Sequence, residues 1–209
     1  MRLLSWFGLF LSLILGFPAL AAEPSFDCAK AEGSAEQLVC DDQQLAALDR
    51  ELARLFGLAA KGPHMDDERL KELRAYQRGW IKGRNDCWKA DDLRACVQNS
   101  YGERIFELRQ GYFDARQEDD DGLSSGPLAL ECQGLEAVIG ATFIQAPEPL
   151  AVLVWRDRKV TLAQSKAASG GRYQGRSFDG DYGFWIKGEE ARFTMPEGEP
   201  LNCRFVPTN

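Results

Sequence analysis

Two short stretches hold the groups best suited to engage another molecule. They are Ser169-Gly170-Gly171-Arg172-Tyr173 and Phe184-Trp185-Ile186-Lys187-Gly188-Glu189-Glu190-Ala191. A serine beside a glycine pair offers a hydroxyl on a tight, protruding turn. A lysine at the end of an apolar strand offers an ammonium. Both groups make hydrogen bonds to carboxylates, the lysine's assisted by charge. Covalent chemistry would need more. The sole histidine, His64, follows Gly62-Pro63 in a loop pattern, and no Gly-x-Ser-x-Gly elbow is present. No phosphate loop or dinucleotide fingerprint occurs. The acid pairs Asp66/Asp67 and Asp91/Asp92 stand at helix starts, where carboxylates cap, and Glu189/Glu190 stands in a turn. Asp119-Asp120-Asp121 resembles half of a calcium loop but lacks the remaining ligand spacing. The residues therefore predict a protein that acts by binding, with no catalytic residue, metal or cofactor.

The elements that must position these groups divide the chain. Arg2, the apolar run 3–17, Pro18 and Ala19-Leu20-Ala21-Ala22 follow the pattern of a secretory signal peptide. Residues 1–22 are read as that signal, cleaved after Ala21 or Ala22 and leaving no membrane anchor. Cys28 lies too far downstream for a lipid attachment. The expected location is periplasmic or secreted. Six cysteines, an even number, lie beyond the signal and read as a disulfide framework. The formal charge is −7, and it becomes more negative when Arg2 is lost. That balance argues against nucleic acid and anionic membrane as partners and suits a basic one.

Residues 23–116 carry the helical signal. Leu45, Leu48, Leu52, Leu55 and Phe56 fall on one face of a helix starting at Asp41/Asp42. Leu70, Leu73, Tyr76 and Trp80 mark a second, from Asp66/Asp67 to about Cys87. Leu93, Val97, Tyr101, Ile105, Leu108 and Tyr112 mark a third, from Asp91/Asp92. A short helix over 34–40 precedes them. Trp80 and Trp88 are expected in the core of this bundle. Pairing Cys28–Cys40 with Cys87–Cys96 competes with Cys28–Cys96 and Cys40–Cys87.

Residues 117–127, charged and then rich in Gly, Ser and Pro, read as a linker. From 128 to 209 the chain alternates. Val152 and Val154, Val160 and Leu162, Ala191 and Phe193, and Leu201, Cys203 and Phe205 recur at period two. About eight short strands predict an antiparallel barrel or sandwich. Cys132 and Cys203 fall in its first and last strands, where a disulfide would close the ends. The whole reads as an α+β chain of two domains. On strand periodicity Trp185 and Lys187 share one face, opposite Tyr182, Phe184 and Ile186.

The Ser-Gly-x-x-Tyr and Phe-Trp-x-Lys-Gly-x-x-Ala stretches, with the Cys132 and Cys203 pair, resemble the MliC/PliC family of inhibitors of C-type lysozyme over about residues 129–206. The resemblance implies an eight-stranded antiparallel β-barrel with Cys132 bonded to Cys203. It implies that Ser169 and Lys187 enter the cleft of a C-type lysozyme and meet its catalytic carboxylates. Gly170, Tyr173 and Trp185 join them in the contact region, with Tyr173 more suited to bracing the loop than to binding. The stretch between Ser169 and Lys187 exceeds the family's expected length by about four residues, an estimate resting on motif spacing. The excess is assigned to 174–180, at a hairpin tip.

The N-terminal half has its own resemblance. Phe26-Asp27-Cys28-Ala29-Lys30-Ala31, Leu45-Ala46-Ala47-Leu48-Asp49 and Gln77-Arg78-Gly79-Trp80-Ile81-Lys82-Gly83-Arg84-Asn85-Asp86-Cys87 resemble the LprI-type helical domain, over about residues 26–110. That family implies a link to lysozyme inhibition. The residues alone fit a spacer or oligomerisation module equally. For the chain as a whole, the alternative is an envelope adaptor or a module that binds cell-wall fragments.

Overall fold

A computed structural model describes residues 23–117 and 121–206. Residues 1–22, read above as a signal, and the middle of the Asp-rich stretch lie outside the described residues. Four longer helices form the N-terminal half: α1 (Ser34–Asp41), α2 (Gln43–Lys61), α3 (Asp67–Asn85) and α4 (Leu93–Gly111), followed by a single turn, α5 (Phe113–Arg116). The starts of α2, α3 and α4 obey the acid-cap logic. Asp42 accepts from Gln44 and Leu45 N–H, Asp66 from Arg69 N–H and Asp92 from Ala95 N–H. The disulfides are Cys28–Cys40 and Cys87–Cys96 in this half and Cys132–Cys203 in the other.

The C-terminal half is a closed antiparallel barrel, β1 to β8 in sequence order. The strands are β1 (Ser124–Cys132), β2 (Val138–Ile144), β3 (Leu150–Trp155), β4 (Arg158–Ser165), β5 (Gly171–Ser177), β6 (Gly180–Lys187), β7 (Glu190–Thr194) and β8 (Leu201–Val206). Cys132 and Cys203 are register partners on β1 and β8, so their disulfide crosses the closing seam. Phe143, Trp155, Tyr173, Tyr182, Phe184 and Phe193 fill the interior, with ring centroids 5.2 Å apart for Trp155 and Phe193.

Three features depart from the sequence reading or go beyond it. First, β1 starts at Ser124, inside the stretch read as a linker. The buried carboxylate of Glu51 on α2 accepts hydrogen bonds from Leu123 N–H, Ser124 N–H and the Ser124 hydroxyl. Arg109 of α4, 1% exposed, donates from Nε to Gly126 O at 2.7 Å. A polar, glycine-bearing segment thus becomes strand because two buried charges from the helices hold its backbone.

Second, Val152 and Val154 do not face the barrel interior. They point outward with Thr161 and Lys159, while Ala151, Leu153 and Trp155 point in. Ile144, Leu150 and Val152 share one core with Leu45, Leu48, Tyr101 and Phe106 of the helices. The seam is close: a Cβ at Gly140 would come within 2.9 Å of Phe106, and one at Gly102 within 3.1 Å of Thr161.

Third, Tyr76 and Trp88 are solvent-facing, at 60% and 64% exposure. Trp88 follows Cys87, which turns inward to its disulfide and leaves its neighbour on the outside. Trp80, expected in the core, is half-buried against its edge, and its Nε1 donates to Ser100 O at 3.1 Å.

Candidate functional site

The β4–β5 loop and the end of β6 meet at one end of the barrel. Register pairs Gly171 with Ile186, Arg172 with Trp185 and Tyr173 with Phe184, which places Ser169 and Gly170 beside Lys187. Gly170 has φ of 73°, in the left-handed region that favours glycine. A Cβ there would collide with the Ile186 carbonyl oxygen, and it would lie 3.3 Å from Lys187 Cβ. The glycine is therefore what lets the loop close onto β6 next to the lysine.

The side chains sort by strand face. Tyr182, Phe184 and Ile186 point inward, while Trp185 is half-buried and Lys187 is exposed on the outer face. Trp185 Nε1 donates to Ser169 O at 3.1 Å, which pins the loop from the neighbouring strand. Arg192 lies over the Trp185 ring, 5.6 Å from its centroid. The Ser169 hydroxyl and Lys187 ammonium are exposed, and among the described residues neither makes a hydrogen bond or ion pair. They project as a free donor pair.

Tyr173 differs from its neighbours in the motif. It is 4% exposed, packs 5.9 Å from Phe143 and offers no surface to a partner. Its contribution is to anchor the start of β5. Burial raises its phenol above the ordinary range.

The β5–β6 hairpin tip lies at the other end of the barrel. β5 and β6 turn at Phe178 and Asp179, and Phe178 is 95% exposed. Asp179 accepts from Tyr182 OH at 2.8 Å and pairs with Arg158, so the tip is braced. The tip therefore leaves the Ser169–Lys187 end unobstructed.

Sequence reading missed how the helices approach this end. Gln44 of α2, 3% exposed, pairs with the backbone of Glu148 in the β2–β3 loop, donating to its O and accepting from its N–H, both at 2.8 Å. Pro149 O in that loop accepts from Gln164 N–H at 2.8 Å, one residue before β4 ends and the Ser169 loop begins. A buried glutamine near a helix start was the only available signal. Among the described residues no group of three or more His, Cys, Asp or Glu is placed to hold a metal.

Comparison with known proteins agrees with this division. Residues 131–202 match the family described as membrane-bound lysozyme-inhibitor of c-type lysozyme, MliC. Residues 28–109 match the family described as lysozyme inhibitor LprI. Relatives named Lipoprotein LprI, from Mycobacterium tuberculosis and Mycobacterium bovis, are 27% identical over 212 residues, spanning 95% of this chain and 98% of theirs. No solved structure matches significantly. Each half therefore matches a family model described as a lysozyme inhibitor, over part of its length.

Proposed function

We propose that this chain, which joins an LprI-type helical segment to an MliC-type barrel, inhibits C-type lysozyme by inserting Ser169 and Lys187 into the enzyme's cleft. The observation that carries the reading is the unengaged, exposed Lys187 ammonium beside the glycine-shaped Ser169 loop. Lysozyme cleaves its glycan with one protonated and one ionised carboxyl group flanking the scissile bond. An ammonium between them makes charge-assisted hydrogen bonds, and a hydroxyl can donate to or accept from either acid. Substrate is excluded by occupancy, so the inhibitor performs no reaction and needs no cofactor.

In this reading residues 1–22 direct export, and the mature chain works in the periplasm or outside the cell. Its acidic balance hastens encounter with a basic enzyme and makes association weaken as salt rises.

The test is lysozyme activity on a suspension of bacterial walls, titrated with the purified protein. Wild-type protein is expected to inhibit. Lys187→Ala should weaken binding by about 2–5 kcal/mol, the range for a desolvated charge pair. Ser169→Ala should cost about 1–2 kcal/mol. Undiminished inhibition by Lys187→Ala would refute the insertion mechanism. No inhibition by the wild type would refute the function.

A further inference from the structure

Helix α3 departs from the acidic character of the chain. It has no acid between Glu72 and Asp86, an interval holding Arg74, Arg78, Lys82 and Arg84. Arg84 turns inward and hydrogen-bonds Tyr101 OH at 2.6 Å. Lys71, Arg74, Arg78 and Lys82 follow at three- and four-residue steps, so they share one face, and all are exposed. Among the described residues none of these four makes a hydrogen bond or ion pair. Some other cations at the helices are engaged: Lys159 of β4 meets Glu107 of α4 at 2.7 Å and Arg94 of α4 meets Asp42 at 2.6 Å.

The stripe runs into a cleft of about 520 Å³ between the first turn of α1 and the end of α3. Arg78 and Lys82 line it, along with Ile81 and the exposed indole of Trp88. The α1 N-cap is Gly33, which supplies no capping side chain to the first-turn N–H groups. Asn85 Oδ1, buried and without a partner, is part of the same lining.

Unpaired cations, an aromatic face and uncapped N–H groups in one concavity suit a ligand with a carboxylate and a ring that can lie on an indole. A flat lipid surface would leave the concavity unused. We infer that this cleft binds the carboxylate-bearing glycopeptide of the cell wall, with the acid group on Arg78 and Lys82 and a sugar ring on Trp88. Glu32 and Asp86 at the rim supply acceptors for sugar hydroxyls. The choice of ligand rests on the envelope reading above, whereas the cleft is independent of Ser169 and Lys187. The protein would then hold to the polymer that its barrel protects.

The test is co-sedimentation of the full mature protein with insoluble, purified peptidoglycan at low salt, without lysozyme. Wild-type protein should pellet. The double variant Arg78→Glu/Lys82→Glu should bind about tenfold more weakly or worse, and Trp88→Ala should also lose affinity. Both should keep full inhibition of lysozyme on a soluble chito-oligosaccharide, which shows that they fold. Lys187→Ala should pellet like the wild type, so failure of the inhibition mechanism and failure of this site are separable. Wild-type protein left in the supernatant would overturn the proposal. So would a double variant that pellets as well as wild type, or binding to anionic phospholipid vesicles in place of peptidoglycan.

Discussion

Gly170 shapes the site without entering it. Its positive φ and its contact with the Ile186 carbonyl leave no room for a side chain, and Trp185 ties the preceding carbonyl to β6. Gly170→Ala should therefore displace the Ser169 loop and weaken inhibition about tenfold or more, with the barrel still folded. Trp185→Phe removes one hydrogen bond and should cost about 0.5–1.5 kcal/mol of inhibition. Titration of inhibition beside a thermal melt would separate both effects from unfolding. The outward pair Trp185 and Lys187 was legible from period two alone. Tyr173 was legible too: β5 alternates exposed Arg172, Gln174 and Arg176 around it, although proximity to the loop motif grouped it with the contacts. Trp88 was not legible, because its size argues for burial and only the inward turn of Cys87 sends it out.

Among the elements, β1 depends most on its neighbours. Arg109 holds Gly126 O and, more loosely, Ala115 O and the Ser124 hydroxyl, while its Nη2 bonds Arg116 O at 3.0 Å. Arg109→Met should cost about 3–5 kcal/mol of stability, measured by denaturant unfolding, because it strips buried carbonyls of their donors. Glu51 does the complementary work. Burial alone would raise its pKa, but hydrogen bonds from Arg54, Ser124 and Leu123 N–H hold it below the ordinary carboxylate range. Asp42 is likewise depressed: burial raises its pKa, but Arg94 and the N–H groups of Leu45 and Gln44 together lower it further. Groups with depressed folded pKa values contribute stability above their unfolded pKa and lose it as pH falls through the folded value. The melting temperature should therefore hold steady above about pH 5 and fall below about pH 4, and Glu51→Gln should flatten that decline. The starts of α2, α3 and α4 were readable from their acid caps. The linker was misread because local composition carries no trace of a carboxylate 73 residues away.

Across the molecule the two halves share one core. Separating them would uncover Ile144, Leu150 and Val152 on the barrel and Phe106 on α4, an apolar surface no lone barrel keeps in water. Calorimetry should show one transition for the intact chain, and the fragment 128–209 should aggregate or melt well below it. Two signals of this docking were present in the sequence. Leu150-Ala151-Val152-Leu153-Val154-Trp155 is a continuous apolar run, the mark of a strand covered on both faces. α4 buries Gly102, Phe106 and Arg109 beside its expected stripe, so it is enclosed on two sides. Each half resembled a self-sufficient family, which hid their mutual dependence.

The grip of Glu51 and Arg109 on the first strand also has a consequence in time. Synthesis runs from the N-terminus, so α2 and α4 exist before any barrel strand does. The barrel thus begins against a waiting template, which fixes where its first hydrogen bonds form while seven later strands are still to come.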